Sequence, residues 1–250
     1  MNKTILSVLA HPDDAEFLCA GTLIRLKQEH GFEVHIASMT AGDCGSCEYD
    51  AQEISRLRRA EGTRAAALIG ATFHCLEEKD LLVFYNDAVL EKVTRLLRLV
   101  QPGIVITHSP TDYMLDHEMT STLTRAAAFA GPIPNFMAER RIGQVLQHIP
   151  HLYYCDPIEG KDPLGRDVAP GFRTDISTVI ATKADMLGAH ASQRDWLMKH
   201  HGMDHYLQAM RDWSAKRGSE AGVAFAEGYR QHLGHSYPQE NVLGQLLGVC

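Results

Sequence analysis

The chain has 250 residues, 45% of them hydrophobic, enough to bury a sizeable core in one large α/β domain or two small ones. Its formal net charge of −7 offers no basic footprint for neutralising phosphates, which argues against a nucleic-acid partner. No run approaches the roughly 18 apolar residues of a membrane span. The amino terminus leads straight into a strand with early carboxylates rather than into a secretory signal, and the six cysteines are dispersed, so the expectation is a cytoplasmic chain in a reduced compartment.

Apart from Ser7, residues 4–10 are apolar or β-branched over the length of a buried strand, and the segment from Gly21 onward reads as helix. Between them stands Ala10-His11-Pro12-Asp13-Asp14-Ala15-Glu16, one imidazole and three carboxylates on a strand-to-helix loop. In open α/β sheets that loop lies at the carboxyl edge, where ligand crevices form. His11 and Asp14 can bend toward one ion across a turn stiffened by Pro12, while Asp13 points elsewhere.

Glu33 to Thr40 predicts the second strand, broken by Ala41-Gly42-Asp43. Cys44-Gly45-Ser46-Cys47 has redox or metal spacing but lacks a second knuckle and a helix start, so it reads as two thiols in a loop. Residues 50–70 predict a helix closed by Gly70. Within it Arg58 and Glu61 are one turn apart, the spacing of a helical ion pair worth about 0.2–0.5 kcal/mol. Residues 72–76 predict a third strand, 88–100 an amphipathic helix, and 103–107 a fourth strand after the Gln101-Pro102-Gly103 turn. Strand and helix alternate, which favours a Rossmann-like, mostly parallel sheet with helices on both faces. The first strand-helix junction carries no GxGxxG, so a dinucleotide is not expected.

An ion held by His11 and Asp14 needs a further donor. The segment after the fourth strand supplies His108, Asp112, Asp116 and His117, with His117 at a helix start. Beyond residue 130 the expected elements are a strand over 145–155, an irregular loop over 156–171, a short strand over 172–176, a long helix from Ser177 through Lys183 and His190, and an amphipathic helix over 221–233. Residues 1–180 are thus expected to form the catalytic domain and 181–250 a helical C-terminal portion packed on it. The Tyr237–Asn241 tail is a candidate contact for a neighbouring subunit. The C-terminal third holds His190, His200, His201, His205, His232 and His235; His201 and His205 are one helical turn apart, but Gly202 and Met203 intervene without a metal-motif Glu, so surface or packing roles are expected there.

The opening motif, together with the distant Asp116-His117, resembles the PIG-L (LmbE-like) zinc-dependent N-deacetylases, which remove acetyl groups from N-acetylglucosamine-type sugars. The likeness continues through Thr40-Ala41-Gly42-Asp43, Arg58-Arg59-Ala60-Glu61, and Lys183, His190, Ser192 and Gln193. It implies His11, Asp14 and His117 as metal ligands, Arg58 reaching into the site and His190 near it. Two imidazoles and a carboxylate suit Zn²⁺, with other divalent transition metals possible, and leave a position open for water. Asp13 is then the expected general base, and Asp116 or Asp112 the carboxylate orienting a ligating imidazole. The implied substrate is a small amino sugar, with a homo-oligomer compatible. One departure stands out: relatives carry His-Pro before the Asp-His pair, whereas this chain has Met114-Leu115. A thioether can neither stabilise an oxyanion nor protonate an amine, so either another group such as His108, Tyr113, His190 or Arg58 takes that role, or the substrate differs, or catalysis is weakened.

Overall fold

The computed structural model describes residues 2–193 and 206–248. Its strands are β1 (Thr4–Leu9), β2 (Glu33–Thr40), β3 (Thr72–Glu78), β4 (Ile104–Thr107), β5 (His151–Cys155), β6 (Phe172–Asp175) and β7 (Ala226–Gln231). They form one sheet in the order β3-β2-β1-β4-β5-β7-β6. Neighbours from β3 to β5 pair in parallel, and β7 runs antiparallel to both β5 and β6.

Both faces of this sheet are covered, so the inner strands are apolar on both sides rather than alternating. Ile5 and Leu9 of β1 join Leu23, Ile24, Met186, Leu187 and Leu243 in one layer, whereas Leu6 and Val8 join Val93, Leu97 and Leu123 in the other. The first layer is built by α1 (Asp14–Leu18), α2 (Ala20–His30), α6 (Ile180–Gly188) and α8 (Val242–Leu247); α4 (Asp87–Val100) and α5 (Leu115–Ala130) supply the second. Helix α3 (Ala51–Ala67) begins where the Asp50 carboxylate caps the Glu53 N–H. The chain is therefore a single α/β domain with a mostly parallel sheet.

Its C-terminal part departs from the expected helices. Residues 221–233 do not form one helix: α7 (Tyr206–Ala221) ends, Gly222 turns at φ 73°, and β7 inserts between β5 and β6. Glu227 and Arg230 fall within that expected amphipathic helix. In fact Glu227 is buried and accepts from the Gly21 and Thr22 N–H groups at 2.8 Å each, from Lys183 Nζ at 2.6 Å and from Tyr229 Oη at 2.8 Å. A fully paired charge can sit inside a sheet, and periodicity alone cannot register that.

Two boundaries also move. The expected strand over 145–155 contracts to β5, and the helix expected from Ser177 starts at Ile180, after Asp175 has capped Ser177. Tyr237 packs within its own chain, donating to the Arg125 carbonyl at 2.7 Å. Among the described residues no helix is long and apolar enough to cross a membrane.

The order of the strands fixes the site. Strands β1 and β4 are neighbours, but from them the chain winds outward in opposite directions, to β2 and β3 on one side and to β5 on the other. The loops after β1 and β4 consequently diverge and leave a crevice at the carboxyl edge.

Candidate metal centre

Pairing of β1 with β4 brings the loop after Leu9 against the loop after Thr107, and Ala10 N–H reaches His108 Nε2 at 2.9 Å. Donor atoms of His11, Asp14 and His117 lie within 4.8 Å of one another, although more than a hundred residues separate the first from the last. Asp14 Oδ2 is the hub. It accepts the His11 N–H at 2.8 Å and stands 3.3 Å from His11 Nδ1, 3.1 Å from His108 Nε2 and 3.7 Å from His117 Nε2.

Each imidazole is oriented by a carboxylate. Asp112 Oδ1 stands 3.0 Å from His117 Nδ1 and also accepts from Met114 N–H at 3.3 Å. Asp116, the other expected orienting residue, instead faces His11: its Oδ2 is 3.4 Å from His11 Nε2 and accepts the Leu81 N–H at 2.7 Å. His11 Nε2 is buried without a hydrogen-bond partner among the described residues. An imidazole with Asp116 against its unpartnered Nε2 and Asp14 against its Nδ1 is the environment of a cation, and the two-nitrogen, one-oxygen donor set fits a divalent transition metal.

The electrostatics agree with that fit. Burial opposes a charge on His11, but Asp116 and Asp14 outweigh it and push its pKa up to about 10. For Asp14 burial works toward protonation, and His117 and His108 overcome it, holding the carboxyl well below its usual range. Burial, with help from His117, instead drives His108 down to about 4, so it stays neutral. Its Nε2 can accept from Ala10 or donate to Asp14, but not both.

Asp13 adopts φ 103°, in the left-handed region that non-glycine residues avoid. Such strain costs on the order of 1–3 kcal/mol and persists where the surroundings enforce it. Here Arg58 Nη2 donates to the Pro12 carbonyl at 2.9 Å and to Asp13 Oδ1 at 3.4 Å, and Tyr206 Oη donates to Asp13 Oδ2. Burial raises the Asp13 pKa despite Arg58. Thus Arg58 does not pair with Glu61, whose carboxylate accepts from Ser192 N–H and Oγ at 2.9 and 2.6 Å. Gly42 and Gly45 give Arg58 its room, since a Cβ at either would collide with the guanidinium.

These groups line a pocket of about 380 Å³ with Phe17, Tyr113, Met114 and Ile158 on its walls. A larger cavity of about 820 Å³ opens at the opposite edge, beside Pro102 and Pro150, away from this chemistry. His190 and His108 do not line the metal pocket. His190 is buried, 3.5 Å from Glu16 Oε2, and His108 stacks on the His117 ring with centroids 3.9 Å apart. Of the groups considered in place of the family histidine, Tyr113 and Arg58 line the pocket. Tyr206 carried no motif in the sequence, and its role follows only from α7 packing near α1. His200, His201 and His205 lie outside the described residues; His232 bonds Tyr154 Oη at 2.9 Å, a packing role.

The model of the family described as "PIG-L: GlcNAc-PI de-N-acetylase" matches residues 6–128. Over 240 residues the chain is 25% identical to 4-oxalmesaconate hydratase of Pseudomonas putida, covering 90% of this chain and 88% of that one. It is 24% identical over 241 residues to 1D-myo-inositol 2-acetamido-2-deoxy-alpha-D-glucopyranoside deacetylase of Rhodococcus erythropolis, covering 76% and 81%. Its fold superposes on N,N'-diacetylchitobiose deacetylase of Pyrococcus horikoshii with a TM-score of 0.77 at 24% identity, covering 95% of this chain and 87% of that structure.

Proposed function

Residues 6–128 belong to the PIG-L family, and from that premise we propose that the protein is a zinc-dependent N-deacetylase, a hydrolase of carbon–nitrogen bonds other than peptide bonds. Its substrate is an N-acetylated amino sugar or N-acetylglucosamine conjugate. The observation that carries this reading is the convergence of His11, Asp14 and His117 donors beside a carboxylate, Asp13, that is not needed as a ligand.

A divalent ion held by those three residues would polarise the acetamide carbonyl and lower the pKa of water to about 7. Asp13, fixed by Arg58 and Tyr206, takes the proton from the attacking water and later returns it toward the departing amine. Tyr113 lines the pocket edge-on to His117, ring centroids 5.5 Å apart, and partial desolvation together with the nearby Asp14 and Asp112 charges raises its pKa, so its phenol remains a donor. That hydroxyl supplies the polarising or proton-delivering contact that Met114 cannot. Phe17 and Ile158 offer the apolar surface against which a sugar face packs.

The Pseudomonas relative favours a second reading, addition of water to the double bond of a polycarboxylate, since it matches along most of the chain. The lining weighs against it. Arg58 is the arginine or lysine among the described lining residues, and it is already engaged by Pro12 and Asp13, while Asp13, Asp14 and Asp80 add negative charge. A neutral acetamido sugar suits those walls better than a multiply charged acid. The setting we propose is the cytoplasm, with neither nucleic acid nor membrane as partner, and a homo-oligomer is compatible. Acetate release from zinc-loaded protein, tried on N-acetylglucosamine, N,N'-diacetylchitobiose and a glucosaminide conjugate, tests the assignment. Acetate from any of them supports it; hydration of 4-oxalmesaconate without acetate from the panel replaces it with the second reading.

A further inference from the structure

A second cluster borders the same pocket and supplies neither ligand nor base to the chemistry above. Strands β2 and β3 are parallel neighbours, so the loops that follow them meet at the carboxyl edge. Asp80 N–H donates to Asp43 Oδ1 at 2.8 Å, and Cys44 N–H donates to Asp80 Oδ2 at 3.0 Å. Those backbone bonds aim the three side chains at one another: one donor atom from each of Asp43, Cys44 and Asp80 lies within 4.8 Å of the other two.

Asp80 is 7% exposed, and its Oδ1 is buried without a hydrogen-bond partner among the described residues. A carboxylate oxygen in that position costs free energy unless a cation or proton meets it. His11, across the shared pocket wall, feels the Asp80 charge, and the exposed Lys79 ammonium lies 3.4 Å from Asp43 Oδ2. Exposed pairs of this kind contribute little and are easily displaced.

We propose that Asp43, Cys44 and Asp80 form a second metal site, selective for a thiophilic or borderline divalent cation such as Zn²⁺ or Cd²⁺. One sulfur and two oxygens make a softer donor set than the two nitrogens and one oxygen of the first site. Tetrahedral zinc holds such donors about 3.3–3.8 Å apart, and the exposed Cys44 side chain can rotate to close whatever gap remains within the 4.8 Å limit. On binding, the Cys44 S–H bond breaks, sulfur forms the metal bond, and the proton and the Lys79 ammonium pass to solvent. The two sites share a wall, because Leu81, next to Asp80, donates its N–H to the same Asp116 oxygen that faces His11.

Cadmium distinguishes them, since a thiolate ligand gives a charge-transfer absorption in the near ultraviolet and a nitrogen–oxygen site does not. Chelator-stripped full-length protein, kept reduced, is titrated with Cd²⁺ while bound metal and absorption are followed together. The site predicts two equivalents bound, one of them absorbing. Cys44→Ser removes the absorption and one equivalent, Asp80→Asn weakens the absorbing equivalent by at least about tenfold, and Cys47→Ser preserves it. His117→Ala loses the silent equivalent and keeps the absorbing one, so failure of the first site and failure of this one read out separately. No absorption in the wild type, or absorption that survives Cys44→Ser, overturns the proposal.

Discussion

Asp112 Oδ1 lies 3.0 Å from His117 Nδ1. A carboxylate on that nitrogen makes it the N–H donor and leaves Nε2 with its lone pair toward Asp14, 3.7 Å away. The tautomer needed for a metal ligand is thus set from behind the ring, five residues before His117 in the chain.

Asp112→Ala removes that control. Affinity for zinc, measured by competition with a chromophoric chelator, is expected to fall about 10- to 100-fold. Asp112→Asn, which preserves the shape but not the charge, should give a smaller loss. Unchanged affinity in both would remove Asp112 from the site.

Asp13→Asn should keep its bound metal, because Asp13 is not among the three converging donors. Its turnover should drop by about 10²–10⁴-fold, the range for losing a positioned general base. Acetate release by a metal-replete variant at the wild-type rate would take Asp13 out of the mechanism.

Tyr206→Phe tests how Asp13 is held. A hydrogen bond to a charged group contributes about 1.5–3 kcal/mol, so kcat should fall about 10- to 100-fold while KM changes little. An equal loss in KM alone would mean that Tyr206 contacts substrate rather than the base.

These two predictions differ in what the sequence could have offered. Asp13 was legible because His11, Pro12, Asp13 and Asp14 are adjacent, and one turn conveys their mutual geometry. Tyr206 reaches the same carboxylate from 193 residues away, on a helix whose sequence carries no motif. The β-α alternation up to β4 could be read for the same local reason: β1 and β4 are short buried strands, and the helices after β2 and β3 begin at the Asp50 and Asn86 caps. Strand β7 could not, since its buried Glu227 is paired by residues from β7 itself, α2 and α6. Arg58 shows an intermediate case. Its spacing from Glu61 suggested an ion pair, but the Gly42–Gly45 loop opens a path to Pro12 and Asp13, and Glu61 turns to Ser192 instead.

His108 predicts a pH dependence. Its folded pKa of about 4 lies below the unfolded value of about 6.5, so between those values the unfolded chain binds more protons. The stability it contributes is complete above pH 6.5 and is lost as pH falls toward 4. A gap of that width between the two states corresponds to a loss on the order of 3 kcal/mol. Urea unfolding of chelator-treated protein at pH 7, 5.5 and 4.5 measures it, and His108→Asn, which can still accept from Ala10, should flatten the acid limb. The same slope in the variant would place the titration elsewhere.

Crystals of zinc-loaded protein, with anomalous data collected on both sides of the zinc absorption edge, test the central claim most directly. The account predicts an anomalous peak bonded to His11, Asp14 and His117 at about 2.0–2.2 Å, with Asp13 close by and unbonded. A zinc-replete crystal whose metal leaves His117 uncoordinated would contradict it.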